Sequence, residues 1–127
     1  MEEKKASDIE LWLSQSPPNE EICMKDGAFY IPYKVIVAKL YKLCGHWWGI
    51  TNFRESYIPL NKGRILVSGN VEIIVNYVIG TELIRRSLSG GANFVLQKSS
   101  NPHPTATVKS LAIMNAVKPL GKQFGWE

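Results

Sequence analysis

Little in this 127-residue sequence points to catalysis or to a bound metal. The two cysteines, Cys23 and Cys44, do not form a Cys-x-x-Cys motif, and the two histidines, His46 and His103, stand far apart. Neither cysteine has a recognisable base nearby in the sequence, and no paired-carboxylate motif is present. Only four acidic residues follow position 27, too few to favour a two-metal nuclease or polymerase site. We therefore expect no enzymatic activity, no cofactor and no metal.

The sequence also lacks long apolar runs. No stretch approaches the ~18 residues of a membrane span, and the N-terminus carries Glu2, Glu3, Lys4 and Lys5 in place of an apolar signal region. Two cysteines without a partner motif are typical of a protein whose thiols stay reduced. These features predict a soluble intracellular protein with no membrane partner, in the cytoplasm of a bacterial or phage-infected cell or in a eukaryotic nucleus.

Charge is distributed unevenly along the chain. Residues 1–27 hold three basic and seven acidic side chains, a net charge of −4, whereas residues 28–127 hold twelve basic and four acidic ones, a net charge of +8. Basic side chains interleaved with Trp and Tyr suit a nucleic acid, because cations contact phosphates and rings stack on bases. The composition therefore indicates an acidic N-terminal segment and a nucleic-acid-binding body.

The first half of the chain predicts two helices. Ser7 and Glu10 form a capping box that starts the first, Pro17-Pro18 ends it, and residues 15–28 resemble an irregular connector. The second helix begins at Pro32 and ends at Gly45. Its β-branched residues 35–37 would favour a strand, but the apolar spacing and the caps agree on a helix, which is the prediction.

After residue 45 the apolar period changes from 3.6 to 2, which predicts three strands at residues 48–57, 65–79 and 82–89. Residues 61–63 and 80–81 are turn signals, and Gly69 predicts a bulge or a bend. Arg85 and Arg86 must point to opposite faces, so one of them faces away from any core. Residues 89–92 lack the phosphate-loop pattern and its strand-loop-helix setting, so no nucleotide-binding loop is expected there.

The last predicted element is a helix over residues 105–125, with Thr105 as its N-cap. Its apolar face is formed by Val108, Ala112, Ala116, Leu120 and Phe124. Lys118 and Lys122 fall on a different, partly open side, and Pro119 predicts a break near Lys118.

Together these elements predict an α+β fold. It contains a three-stranded antiparallel sheet within a β-β-β-α core, a helix before the sheet and a long helix packed on it. Residues 1–28 form the acidic helix and connector, and residues 29–127 form the core.

Residues 29–125 resemble the DNA-binding core of single-strand annealing proteins of the RAD fifty-two type, the eukaryotic recombination mediators and their phage relatives. The resemblance rests on a helix opened by Tyr30-Ile31 and closed at Gly45, the cluster 46–48, the turn 61–63 and the ending 123–125. It implies ATP-independent binding of single-stranded DNA, annealing of complementary strands in recombination or repair, and a ring or filament of subunits. A single-strand binding protein or a recombinase is a further partner of this kind of protein.

The resemblance matches Lys118 and Lys122 to the family's basic final helix, although Pro119 stands where another basic residue is usual. It matches His46 or Trp47 to an aromatic at the helix-strand junction, and Lys34 to a basic residue one position away. His46 or Trp47 is expected to stack on a base while Trp48 packs inward. The candidate DNA-binding residues are Lys34, His46, Trp47, Arg54, Arg85, Arg86, Lys109, Lys118 and Lys122.

Two alternatives remain. The order α-β-β-β-α is also that of a double-stranded RNA-binding domain, which uses a lysine cluster at the start of its last helix; here Lys109 stands alone near that position. A non-catalytic scaffold, with a basic face that serves solubility, is the second. The sequence does not determine the number of subunits, nor whether a natural segment continues beyond Glu127.

Overall fold

The computed structural model describes residues 6–25, 27–97 and 103–125. Its elements confirm the predicted α+β fold, with a three-stranded antiparallel sheet and a C-terminal helix packed on it. In chain order they are α1 (Ala6–Ser14), β1 (Cys23–Lys25), β2 (Ala28–Tyr30), α2 (Tyr33–Cys44), β3 (Trp48–Pro59), β4 (Ile65–Ile79), β5 (Glu82–Leu96) and α3 (Pro104–Val117). Among the described residues, no helix has both the length and the apolar character needed to span a bilayer.

The main sheet has the order β3-β4-β5, and its central strand β4 alternates between a buried and an exposed face. We call the face that carries Val67, Val71, Ile73 and Val75 the inner face, because it forms the core with the helices. The opposite face of the sheet is the outer face. The pairing shifts between Ile50 and Asn52 of β3, while β4 pairs with β5 in unbroken register. The bulge predicted at Gly69 is therefore wrong, and the irregularity lies in β3.

Gly69 and Gly90 serve the packing of α3 instead. A β-carbon at Gly69 would come within 2.9 Å of Cγ2 of Val108, and one at Gly90 within 2.7 Å of the carbonyl oxygen of Ala112. Real β-carbons essentially never make such short contacts, so the sheet needs glycine at these points for α3 to lie so close. Val108, Ala112 and Ala116 are fully buried there, as their four-residue spacing predicts.

The break predicted near Lys118 is confirmed. The α-helix ends at Val117, and two 3-10 turns, Lys118–Leu120 and Lys122–Phe124, carry the chain onward. Pro119 lacks the amide donor that would continue the helical ladder. Leu120 and Phe124 are nevertheless buried, so the apolar pattern persists through the break.

Several boundaries differ from the predictions. Residues 15–28 are not irregular throughout: they contain a 3-10 turn and the first strand of the β1–β2 hairpin, which spans the boundary predicted between residues 28 and 29. The strand alternative for residues 35–37 is wrong, because α2 runs through them to Gly45 at φ 61°. Residues 89–92 lie inside β5, and His103, rather than Thr105, precedes the first turn of α3. Residue 7 lies inside α1 rather than at its cap.

The N-terminal helix packs against the C-terminal turns. The rings of Trp12 and Phe124 meet edge to face with centroids 6.1 Å apart. Nearby, the ammonium of Lys39 on α2 is buried and donates to the backbone carbonyl of Gln123 at 2.7 Å and to its side-chain oxygen at 2.8 Å. The same ammonium forms an ion pair with Glu21. One lysine therefore joins the segment before the hairpin to the last turn of the chain.

Candidate nucleic-acid interface

The outer face of the sheet is open, because the helices pack on the inner face within the described part of the chain. Register places small and polar residues across it. Its exposed small and polar residues include Asn70 and Glu72 on β4 and Ser87, Ser89, Gly91 and Asn93 on β5, while Ile58, Leu83 and Val95 are exposed apolar residues nearer its ends. A broad face of hydroxyls, amides and bare backbone offers hydrogen-bonding groups without a deep groove.

Trp47, Asn76 and Arg85 form one row across this outer face. The backbone amide of Asn76 donates to the carbonyl of Trp47 at 2.9 Å, its side-chain amide reaches the same oxygen at 3.4 Å, and Asn76 pairs with Arg85. Trp48 is half-buried and packs against the core. Since successive side chains alternate, Trp47 points outward, and its indole is 59% exposed. An exposed ring and an exposed guanidinium therefore flank one amide.

Arg54 lies on the same outer face, opposite Asn70, towards the other end of the sheet. Asn70 and Asn76 are six residues apart on β4, which corresponds to about 20 Å, and β3 and β5 are separated by about 10 Å. Arg54 and Arg85 thus mark the ends of a diagonal of about 22 Å. A stacked strand would place about six nucleotides over this distance at 3.4 Å each.

Glu72 stands between these two arginines and opposes anion binding. It pairs with Asn52 on one side and Ser89 on the other, and its side chain is exposed. Thr51, the extra residue at the β3 irregularity, donates its hydroxyl to the backbone carbonyl of Glu72 at 3.1 Å. The carboxylate itself remains on the outer face, where it would repel a phosphate passing over the centre.

Two of the candidate cations lie on the inner side. Arg86 is half-buried, pairs with Val75 and donates from Nη1 to the carbonyl of Pro119 at 3.3 Å. The ammonium of Lys109 lies 5.6 Å from the ring centroid of Phe53. Both groups therefore contribute to the packing between sheet and helix, so of the arginine pair it is Arg85 that faces away from the core.

The remaining candidates occupy the helical layer. Lys118 and Lys122 are exposed on the two 3-10 turns, and Lys34 is exposed in the first turn of α2. His46 is exposed and its ring contacts Tyr41 edge to face, with centroids 5.2 Å apart. The structure thus brings Trp47, Arg54 and Arg85 onto one face and does not bring Lys118 or Lys122 to it.

Asn70, Asn76 and the β5 serines were missed by the sequence reasoning. The period-2 pattern of residues 65–79 carries the signal: its polar members all fall on the positions that alternate with Val71, Ile73 and Val75. Those positions define one face of the sheet, but the pattern does not say whether a helix covers that face.

The environment of Cys44 does not favour a nucleophilic thiolate. Burial raises the pKa of the Cys44 thiol to about 11, and its sulfur donates to the carbonyl of Leu40 at 3.1 Å. At neutral pH this thiol is protonated and unreactive. No group of three or more metal-ligating side chains occurs among the described residues.

Comparison with known proteins does not assign the chain to a family. No model of a known protein family matches it, and no significant match was found among curated proteins.

Proposed function

We propose that this protein binds single-stranded DNA with little sequence preference and anneals complementary strands without ATP, in recombination or repair. The observation that carries the proposal is the row Trp47–Asn76–Arg85 on the open outer face, together with Arg54 farther along it. The ring supplies a stacking surface that accepts any base. The guanidinium groups supply phosphate contacts that do not depend on sequence.

The shape of this face favours a single strand over a duplex. Reading a B-form duplex calls for a helix or ribbon that enters the major groove, whereas the outer face is a sheet surface with short side chains over most of its area. Binding of duplex RNA through a lysine cluster is not supported by α3, because Lys109 at its start lies over the Phe53 ring.

Annealing adds a requirement that one domain does not meet. Two complementary strands must be held with their bases accessible along more length than the diagonal of about 22 Å on one sheet. Several subunits side by side would raise the local concentration of bound strand. We therefore propose that the active form is a ring or filament of this chain.

Fluorescence anisotropy with a labelled oligonucleotide tests the binding step, with unlabelled single-stranded DNA, duplex DNA and duplex RNA as competitors. We expect single-stranded DNA to compete best and the affinity to fall steeply with salt. Preference for duplex RNA would favour the double-stranded RNA-binding alternative, and no binding at all would favour a scaffold.

A second set of variants locates the surface. Arg54→Ala and Arg85→Ala remove cations from the outer face, while Lys118→Ala and Lys122→Ala remove the same charge from the exposed 3-10 turns. If the outer face binds DNA, the arginine variants lose more affinity than the lysine variants. The reverse order would move the site to the helical layer, where the family resemblance expects the groove.

A further inference from the structure

The β1–β2 hairpin presents an apolar knob that nothing in the described part of the chain covers. Met24 and Phe29 are directly paired across the hairpin, so their side chains share one face. Met24 is 65% exposed and Phe29 is 74% exposed. Neither strand pairs with the main sheet. An isolated two-stranded hairpin is marginally stable in water, so this one gains stability if its apolar face finds a partner.

A matching apolar shelf lies on the inner face of β3. Ile50, Phe53 and Tyr57 pair with Ile73, Val71 and Val67, which places all three on the face that α3 covers over β4 and β5. Over β3 the helix leaves them partly open: Ile50 and Tyr57 are exposed and Phe53 is half-buried.

Charge complements this apolar match. Met24 belongs to the acidic segment of residues 1–27, with a net charge of −4, in which Glu20 lies exposed just before the hairpin, and Phe29 follows that segment directly. The shelf lies in the basic body of net charge +8, where Lys109 over Phe53 and exposed Lys62 and Arg64 in the turn after β3 outnumber one carboxylate. That carboxylate, Glu55, shares the inner face of β3 and accepts a hydrogen bond from the Tyr57 hydroxyl at 3.1 Å. Opposite potentials on two parts of one chain favour contact between copies of that chain.

We infer that the Met24–Phe29 knob of one subunit docks on the Ile50–Phe53–Tyr57 shelf of a second copy. Knob and shelf are different surfaces, so the contact is head to tail, and repetition generates a closed ring or an open filament. The knob is an anchor rather than a whole interface, because one aromatic side chain buries about 150–250 Å² against about 800 Å² per partner in a stable complex. The acidic segment around the knob supplies further area.

This inference deepens the assembly that the proposed function calls for, but it does not depend on DNA. Its test is therefore made without oligonucleotide. A chain that assembles through the knob and ignores DNA would refute the proposed function and leave this contact intact. A chain that binds DNA and still assembles after loss of the knob would refute the contact alone.

The test uses two variants that each destroy one half of the contact. Phe29→Asp removes the knob and keeps the shelf, and Ile50→Asp removes the shelf and keeps the knob. Sedimentation velocity should show the wild type as a species of several subunits and each variant as a monomer. An equal mixture of the two variants should form a dimer and nothing larger, since only one intact contact joins the unlike chains. Circular dichroism checks folding; if Ile50→Asp is unfolded, Tyr57→Ser takes its place.

Leu83→Asp is the matched control, because Leu83 is 63% exposed on the outer face of β5 and belongs to neither surface. It should keep the wild-type mass. A monomeric wild type at micromolar concentration, an oligomeric Phe29→Asp variant, a mixture that stays monomeric, or dissociation by Leu83→Asp would each overturn the inference.

Discussion

Replacing Glu72 by Gln should strengthen DNA binding, which is an unusual direction for a point substitution. Glu72 is exposed on the outer face between the rows that hold Arg54 and Arg85. A strand that runs from one arginine to the other must pass over this carboxylate. The neighbouring side chains on the same face of β4 are two residues away, which is about 7 Å along the strand. A phosphate that passes over one of these neighbouring positions therefore lies about 7 Å from the Glu72 carboxylate.

Coulomb's law gives the size of the effect. At about 7 Å in water a carboxylate and a phosphate repel each other by about 0.6 kcal/mol, and physiological salt with its ~8 Å Debye length reduces this to about 0.25 kcal/mol. Two phosphates then contribute about 0.5 kcal/mol, or about a twofold gain in affinity. At 0.01 M salt, where the Debye length is about 30 Å, the same sum approaches 1 kcal/mol and about a fivefold gain.

Anisotropy titrations of Glu72→Gln and wild type at both salt concentrations measure this gain. Glu10→Gln is the control: Glu10 is exposed on α1 in the helical layer, and its loss changes the net charge by the same amount. Equal gains in both variants would mean that total charge, and not the outer face, governs affinity. No gain for Glu72→Gln at low salt would refute the path of the strand across this face.

Five further substitutions test the DNA-binding face and the packing of α3. Trp47→Ala should lower single-strand affinity about tenfold, since one stacked base contributes ~1–3 kcal/mol, and should abolish most of the tryptophan quenching by oligonucleotide; unchanged quenching would exclude this ring. Arg85→Ala should reduce the slope of log affinity against log salt by about 1. Arg86→Ala should leave that slope unchanged and lower the free energy of unfolding by about 1 kcal/mol, because its hydrogen bond to residue 119 is lost. If the two variants showed each other's effects, the assignment of the two arginines to the outer and inner faces would be wrong. In urea unfolding, Gly90→Ala should cost about 2–3 kcal/mol because its methyl meets the α3 backbone, while Gly91→Ala, which meets only a side-chain amide on the outer face, should stay within about 0.5 kcal/mol.

The local periodicities made most of the fold predictable. The bounds of β4 follow from strict alternation between two turn signals, and the α2 bounds follow from a proline and a glycine at its ends. Two errors have one origin: glycine was interpreted as a local signal. Gly69 predicted a bulge or bend, and the third strand was predicted to end at Ser89, before Gly90 and Gly91, yet these glycines lie in regular strands, two of them where α3 comes close. The requirement for glycine at these points comes from tertiary packing, so it cannot be recognised in the sequence before the position of α3 is known.

The candidate site was predictable only in part. Alternation separated Arg85 from Arg86 and Trp47 from Trp48, and Trp48 was correctly expected to pack inward, but for the arginines alternation did not say which one the helices would cover. Cross-strand register, which depends on the turn at residues 61–63 and on the shift at Thr51, brings Arg54 and the Trp47 row onto one face. Register is a long-range property, so charge counting alone gave no reason to prefer these cations over Lys118 and Lys122.

The junction of α1, Lys39 and the last turn has a consequence for synthesis. Phe124 is buried against Trp12, and Lys39 has its partners at Glu21 and Gln123. Contacts so distant in sequence form late, because a long loop must close first. While residues 118–125 are still inside the ribosomal exit tunnel, the apolar surface of α1 lacks its contact with Phe124. The ammonium of Lys39 likewise lacks its acceptors on Gln123. Completion of this core is therefore expected only once residues 118–125 have left the tunnel, and until then the exposed apolar surface of α1 is prone to aggregation.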